Sequence, residues 1–171
     1  MAYSDFPEHA KQSFCPAKWL TSAVYLHAGL ASSCYYPYPT KIDLTAICDD
    51  NTGIFNTDET VADKALMVVG QRPSSCDYCW KIEDSGVESP RILNSDRRYN
   101  DASYDDLKDD IAVIPRRVHV SLDNHCNLSC VYCEQSQSTA WGADIKKNGA
   151  YDLKTTSRRL YNNDGNANLL S

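Results

Sequence analysis

Residues 117–133 read RVHVSLDNHCNLSCVYC. The opening RVHVSL alternates apolar with polar residues and is rich in β-branched side chains, which predicts a strand. That strand runs straight into a loop carrying Cys126, Cys130 and Cys133, spaced C-x3-C-x2-C. Residues 138–147, STAWGADIKK, then read as a helix, with Gly149 near its end. Thiolates are soft ligands that select zinc, copper(I) or iron–sulfur clusters. A structural zinc site takes four ligands, and an ordinary iron–sulfur cluster takes four cysteines. Three local cysteines leave one metal position open, which is how catalytic metal sites differ from closed structural ones. The plainer alternative is a zinc knuckle completed by His125 or by a distant residue. A lone histidine beside such a motif more often faces solvent than ligates.

The bulk composition narrows the setting. The chain has 171 residues, room for one ordinary domain or two small ones. Hydrophobic residues make up 42% and charged residues 23%, so a packed core is attainable. Tyr outnumbers Phe eleven to three, which makes that core a modest one. The net charge of −6 gives no support to a nucleic-acid or membrane-surface role, which would require a basic face. No apolar run approaches the roughly 20 residues of a membrane span. The opening MAYSDFPEHAKQSF lacks the basic and apolar regions of a secretory signal, so a cytoplasmic chain is expected. Eight cysteines in a reducing compartment read better as metal ligands than as disulfides.

Upstream, residues 22–35 read as two short strands around Ala28-Gly29. Residues 58–69 read as a helix with Asp58 as N-cap and Gly70 as its stop, and 76–84 as a second, short helix. The stretch 85–106 reads as polar loop, Pro90 to Pro115 as a boundary zone, and the tail from Tyr151 as poorly ordered. A tight turn at Gly29 would bring Cys15 and Cys34 together. Cys76 and Cys79, in CDYC, can face one metal from a turn or helix start. These four make a complete set for one closed cluster, or for a structural zinc. Cys48 reads as a small buried apolar residue. Asp105-Asp106 and Asp109-Asp110 read as a solvated helix face, and the arginines of SDRRYN (95–100) as a solvated loop.

The Cys126, Cys130, Tyr132, Cys133 pattern at the end of a strand resembles the signature of radical S-adenosylmethionine enzymes. The resemblance implies a 4Fe–4S cluster on the three cysteines and S-adenosylmethionine on the open iron, with Tyr132 near the adenine. It also implies one-electron cleavage of that cofactor to methionine and a 5′-deoxyadenosyl radical, which abstracts hydrogen from substrate. The Cys15-x13-Gly29-x4-Cys34 spacing, followed by Cys76 and Cys79, resembles the SPASM and shorter twitch domains, which implies an auxiliary 4Fe–4S cluster. FCPAKW, CDYCWKIEDSG and VSLDNHCNLSCVYC together are similar to a group of twitch-type radical S-adenosylmethionine proteins of phages and marine bacteria, in which that domain comes first.

The implied fold is an α+β hairpin–helix auxiliary-cluster domain at 1–114, followed at 115–171 by the start of a partial (β/α) barrel. From Arg117 only 55 residues remain. That is room for a first strand, the cluster loop and one helix, since each parallel βαβ unit takes about 30 residues. The family's Gly-Gly-Glu motif for the cofactor's amino group is missing. The expectation is therefore an incomplete active site. Its barrel would come from another polypeptide or an absent continuation, with an electron donor as partner and a substrate, by family analogy, of peptide type. A non-catalytic zinc or iron–sulfur module, and an inert fragment, are the alternatives.

Overall fold

The computed structural model describes residues 3–45, 52–99, 101–131, 133 and 138–149. Its centre is the strand β1, Thr21–Tyr25, buried along its whole length. β1 pairs antiparallel with β2, Leu30–Ser32, in the register Ala23↔Ser32 and Tyr25↔Leu30. The turn between them is a short 3₁₀ segment, Leu26–Ala28, closed by Gly29 in the left-handed region (φ 61°, ψ 40°), so the hairpin expected around Ala28-Gly29 is present. β2 pairs with β3, Thr40–Lys41. On its other side β1 pairs in parallel with β4, Arg117–Ser121, from Thr21↔Arg117 to Tyr25↔Ser121. The sheet is mixed, in the order β3-β2-β1-β4.

The sequence pattern of 117–122 implied a strand with an unpaired edge. One side of β4 is satisfied by β1, and its other side ends the sheet among the described residues. Val118, Val120 and Leu122 are exposed there. The stretch expected to open a second domain thus shares its backbone hydrogen bonds with the amino-terminal hairpin.

Helices cover the sheet's amino-terminal end. α1 (Glu8–Lys11) leads to α2 (Pro16–Leu20), which starts with proline at its first position, where the missing N–H costs nothing. α3, Asp58–Val68, is capped by Thr57, whose hydroxyl accepts from the Thr60 amide at 3.3 Å; Asp58 instead sits in the first turn, favourable to the helix dipole. α4 spans Asp77–Asp84 and follows a 3₁₀ turn, Ser74–Cys76. The expected loop at 85–106 holds two further helices, α5 (Pro90–Arg97) and α6 (Tyr104–Leu107). Ser89 caps α5, and Ser103 with Asp106 forms a reciprocal capping box on α6. Asp106 is therefore a cap as well as a surface charge.

Tyr99, Ala102, Tyr104 and Leu107 join the core built by Phe6, Phe14, Trp19, Met67 and Trp80. The expected boundary zone is thus partly interior. α7, Thr139–Asn148, follows the cysteine loop and is capped by Ser138 at one end and Gly149 at the other. Among the described residues, no helix is long and apolar enough to cross a membrane. Cys48, Tyr132 and the tail from Tyr151 lie outside the described residues.

One buried ion pair fastens α5 to the rest. Arg91 and Glu83 are 2% and 8% exposed. Arg91 Nε and Nη2 donate to the two Glu83 oxygens at 2.8 and 2.7 Å, and Nη1 donates to the carbonyls of Lys11 and Phe14 at 3.1 and 2.7 Å. Removing one partner strands a buried charge, so Arg91→Met should lower the folding free energy by about 3–5 kcal/mol in chemical denaturation. A loss under ~1 kcal/mol would contradict the clamp.

The end of α3 gives a second, separable expectation. Gly70 has φ 80°, and a Cβ there would stand 2.7 Å from the His9 carbonyl oxygen; Gly86 has φ 83° with open space around it. Gly86→Ala should cost only the left-handed backbone penalty of about 1–2 kcal/mol. Gly70→Ala should cost measurably more, and equal losses would show that the His9 contact yields freely.

Candidate metal centre

Four cysteines far apart in sequence meet at the amino-terminal end of β1. Cys15 is the residue before α2, in its N-cap position. Cys34 lies two residues beyond β2, whose antiparallel run returns the chain to the same end of the sheet; the Ser32 hydroxyl donates to the Cys34 carbonyl at 2.7 Å. Cys76 closes the 3₁₀ turn at the start of α4, and Cys79 stands in the first turn of that helix. A C-x2-C pair at a helix start puts both sulfurs on one face. Cys15, Cys76 and Cys79 are buried within the core, and Cys34 is the least covered. Cys15, Cys34 and Cys79 line one small open pocket, together with Tyr36, Arg91 and Tyr99.

Each sulfur faces a donor. The Tyr36 amide donates to Cys34 Sγ at 3.5 Å, and Lys18 Nζ donates to Cys76 Sγ at 3.8 Å. The Lys18 amide faces Cys15, and the Arg91 amide and Ser89 hydroxyl face Cys79. A neutral thiol is a weak acceptor, whereas thiolate sulfur is a strong one. The surroundings are thus arranged for sulfur that carries negative charge.

Without a cation Cys15, Cys34 and Cys79 resist ionisation. Burial, then the neighbouring Cys79, pushes the Cys15 thiol from 9.0 up to about 12. Burial and Cys15 push Cys34 up as well, and burial raises Cys79. The sulfurs therefore sense one another, and their protons leave only in exchange for positive charge, as metal binding provides. Cys15, Cys34, Cys76 and Cys79 are outside any disulfide.

Among the described residues, no three His, Cys, Asp or Glu side chains stand close enough to share a single metal ion. Sulfurs tetrahedral about one zinc at about 2.3 Å would lie about 3.8 Å from one another. In a four-iron cluster each cysteine binds its own iron, so the ligand sulfurs stand wider apart. In ligand type, an all-thiolate donor set suits zinc or an iron–sulfur cluster alike.

The second cysteine set lies at the opposite end of the strands. The loop leaves β4 past Ser121 and is held to the start of α7. The Cys126 carbonyl accepts from the Ala140 amide at 3.0 Å and the Thr139 hydroxyl at 3.0 Å. The Ser138 hydroxyl donates to the Leu128 carbonyl at 2.7 Å, and Trp141 Nε1 donates to the Cys130 carbonyl at 3.0 Å. A turn bond from the Cys133 amide to the Cys130 carbonyl, 2.9 Å, links the last two cysteines. All three cysteines are partly covered. His125 is 82% exposed and its imidazole lies 3.5 Å from Asp123, so nothing in its contacts draws it toward the sulfurs.

Because β1 and β4 run parallel, the two cysteine sets sit off opposite ends of a five-residue strand pair. The strand pair itself is about 16 Å long. The residues that the spacing of cysteines did not reveal are Lys18, Ser89 and Arg91, whose relation to the sulfurs is purely tertiary. No family model, no curated protein sequence and no solved structure matches the chain.

The raised thiols give a pH dependence. A thiol whose folded value exceeds its unfolded one adds stability below the unfolded value and loses it as pH climbs toward the folded one. For Cys15 that window opens near 9.0 and closes near about 12. The metal-free chain should therefore show a falling denaturation midpoint from about pH 9 to about pH 12. The Cys15→Ser, Cys34→Ser double variant should show a shallower fall, and parallel curves would remove these thiols as the cause.

Proposed function

We propose that this chain is a carrier of two iron–sulfur clusters of the radical S-adenosylmethionine type. Cys15, Cys34, Cys76 and Cys79 hold an auxiliary 4Fe–4S cluster, and Cys126, Cys130 and Cys133 hold a second 4Fe–4S cluster with an open iron for S-adenosylmethionine. The observation that carries this reading is the convergence of Cys15, Cys34 and Cys79 on one pocket, with Cys76 in the same core cluster and a donor directed at each of the four sulfurs. When bound, the open-iron cluster would supply the electron that cleaves S-adenosylmethionine to the 5′-deoxyadenosyl radical.

The chain's own residues supply positioning. α7 and its cap hold the cysteine loop by bonding its carbonyls, which leaves the thiols unengaged by those contacts. The loop sits at the carboxyl end of a parallel strand, where sites form in sheets of this kind. The exposed outer edge of β4, with Val118, Val120 and Leu122, is where further barrel strands from a partner or a continuation of the polypeptide would add. Such an addition would complete the cofactor pocket, to which Tyr132 belongs in this reading. A reducing, cytoplasmic setting, an electron donor and a peptide-like substrate complete it.

Anaerobic reconstitution with iron and sulfide tests the proposal. It expects about eight iron and eight sulfide per chain, four of each per cluster. Cys130→Ala should remove half of both, and Cys76→Ala should remove the other half. One or two zinc ions without sulfide would replace this reading with a zinc-binding module, and simultaneous loss of all iron in either variant would overturn the two-site division.

A further inference from the structure

Lys18 is almost fully buried, yet it is three residues from Cys15 on the helix that follows it. An ammonium has three N–H donors and no acceptor. Lys18 Nζ directs them at Asp63 Oδ2 at 2.5 Å, Ser75 Oγ at 3.3 Å and Cys76 Sγ at 3.8 Å. The Ser75 hydroxyl in turn donates to Asp63 Oδ2. Asp63 is 15% exposed, so the pair is partly cut off from water on one side and enclosed on the Lys18 side.

The ammonium is the member of the pair that contacts the sulfur. Asp63 comes from α3 and takes a different hydrogen of the ammonium from the one directed at Cys76 Sγ. The Ser75 hydroxyl touches both the Asp63 carboxylate and, at 3.6 Å, the Cys76 sulfur. The other buried cation nearby, Arg91, is used differently: both carboxylate oxygens of Glu83 and two main-chain carbonyls consume its guanidinium donors. Among the described residues, the charged donor with a hydrogen bond to one of the four sulfurs is the Lys18 ammonium. Hydrogen bonds and local charge at the sulfurs are among the levers that set the potential of an iron–sulfur cluster.

We infer that the Lys18–Asp63–Ser75 unit is a built-in electrostatic control of the four-cysteine site, in which Lys18 raises and Asp63 lowers the reduction potential of the group bound there. Lys18 acts here as a positioning residue for Cys76 as well as a charge. This inference rests on the cluster assignment proposed above. A purely structural salt bridge would make the two partners interchangeable, because removing either breaks the same contact. Charges of opposite sign acting on one bound group make them opposite.

The experiment uses the full chain carrying Cys130→Ala, so that the four-cysteine cluster alone is titrated, with iron and sulfide counted in every sample and the midpoint potential followed by electron paramagnetic resonance. Lys18→Met should lower the potential by tenfold or more in the one-electron equilibrium, about 59 mV. Asp63→Asn should raise it by a comparable factor, and Lys18→Arg should restore most of the Lys18→Met loss. If Lys18→Met fails to retain the cluster, the sign of the Asp63→Asn shift decides: upward supports the unit, unchanged or downward overturns it. Shifts of the same sign in Lys18→Met and Asp63→Asn, with the cluster intact, overturn it too. Absence of four iron and four sulfide from the parent sample would instead remove the cluster assignment itself, and this inference with it.

Discussion

The contact on which the rest depends is the burial of the Arg91 guanidinium against Glu83. Four hydrogen bonds from it tie α5 to α4 through the carboxylate, and to the segment before Cys15 through the Lys11 and Phe14 carbonyls. The flat guanidinium also lies 5.3 Å from the Trp80 ring centre and 5.2 Å from that of Tyr3. A buried ion pair of this kind adds little net stability compared with an apolar replacement. What it adds is geometry, because a fork of fixed donors accepts one arrangement of its partners. Three segments carrying or flanking Cys15 and Cys79 are thereby locked in mutual register.

That locking matters because the thiols it holds together oppose one another's ionisation. Desolvated thiols beside one another raise each other's resistance to ionisation. A site made of them needs walls that do not relax away. Phe14, packed at 4.6 Å against Trp19 and 4.9 Å against Tyr104, forms one such wall next to Cys15. The stacked rings of Tyr36 and Tyr78, 4.7 Å apart and 8° from parallel, form another between the Cys34 and Cys76–Cys79 segments. The aromatic excess of Tyr over Phe, which suggested a modest core, instead supplies rings at the border of the cysteine site.

Much of this was legible in the chain, and the illegible part has identifiable causes. The hairpin, α3, α4, β4 and α7 each carry a local signal: alternation, a cap, or a terminal glycine. α5 and α6 escaped because their sequence, PRILNSDR and YDDL, is polar, and they are held by side-chain caps and by Arg91 rather than by an apolar stripe. α2 is only five residues, too short for any periodicity to show. The cysteine spacing marks candidate ligands in the chain itself, since metal chemistry needs particular residues at short intervals. The donors facing the sulfurs came from Lys18, Ser89 and Arg91, and no spacing rule connects these to cysteines brought near by folding. The cap of α3 was placed one residue late because Thr57 and Asp58 are both good cap residues, and only the hydroxyl's contact with Thr60 decides between them.

The parallel pairing of β1 with β4 bears most directly on how the two cysteine sets relate. It joins the first segment of the chain to the last described strand, and it could not be inferred from either strand alone. By aligning the two strands in the same direction it sends Cys15, Cys34 and the α4 pair to one end and the Cys126 loop to the other. Tyr35, next to Cys34, meets His119 of β4 edge to face at 5.7 Å, so the sheet carries side-chain contact as well as hydrogen bonds between the two halves. A rigid strand pair between two thiol-rich sites fixes their spacing whatever else is added at the open edge of β4. Any partner that completes the loop site would therefore meet the four-cysteine site at a set distance, which is the condition under which charge at one site can bear reproducibly on the other.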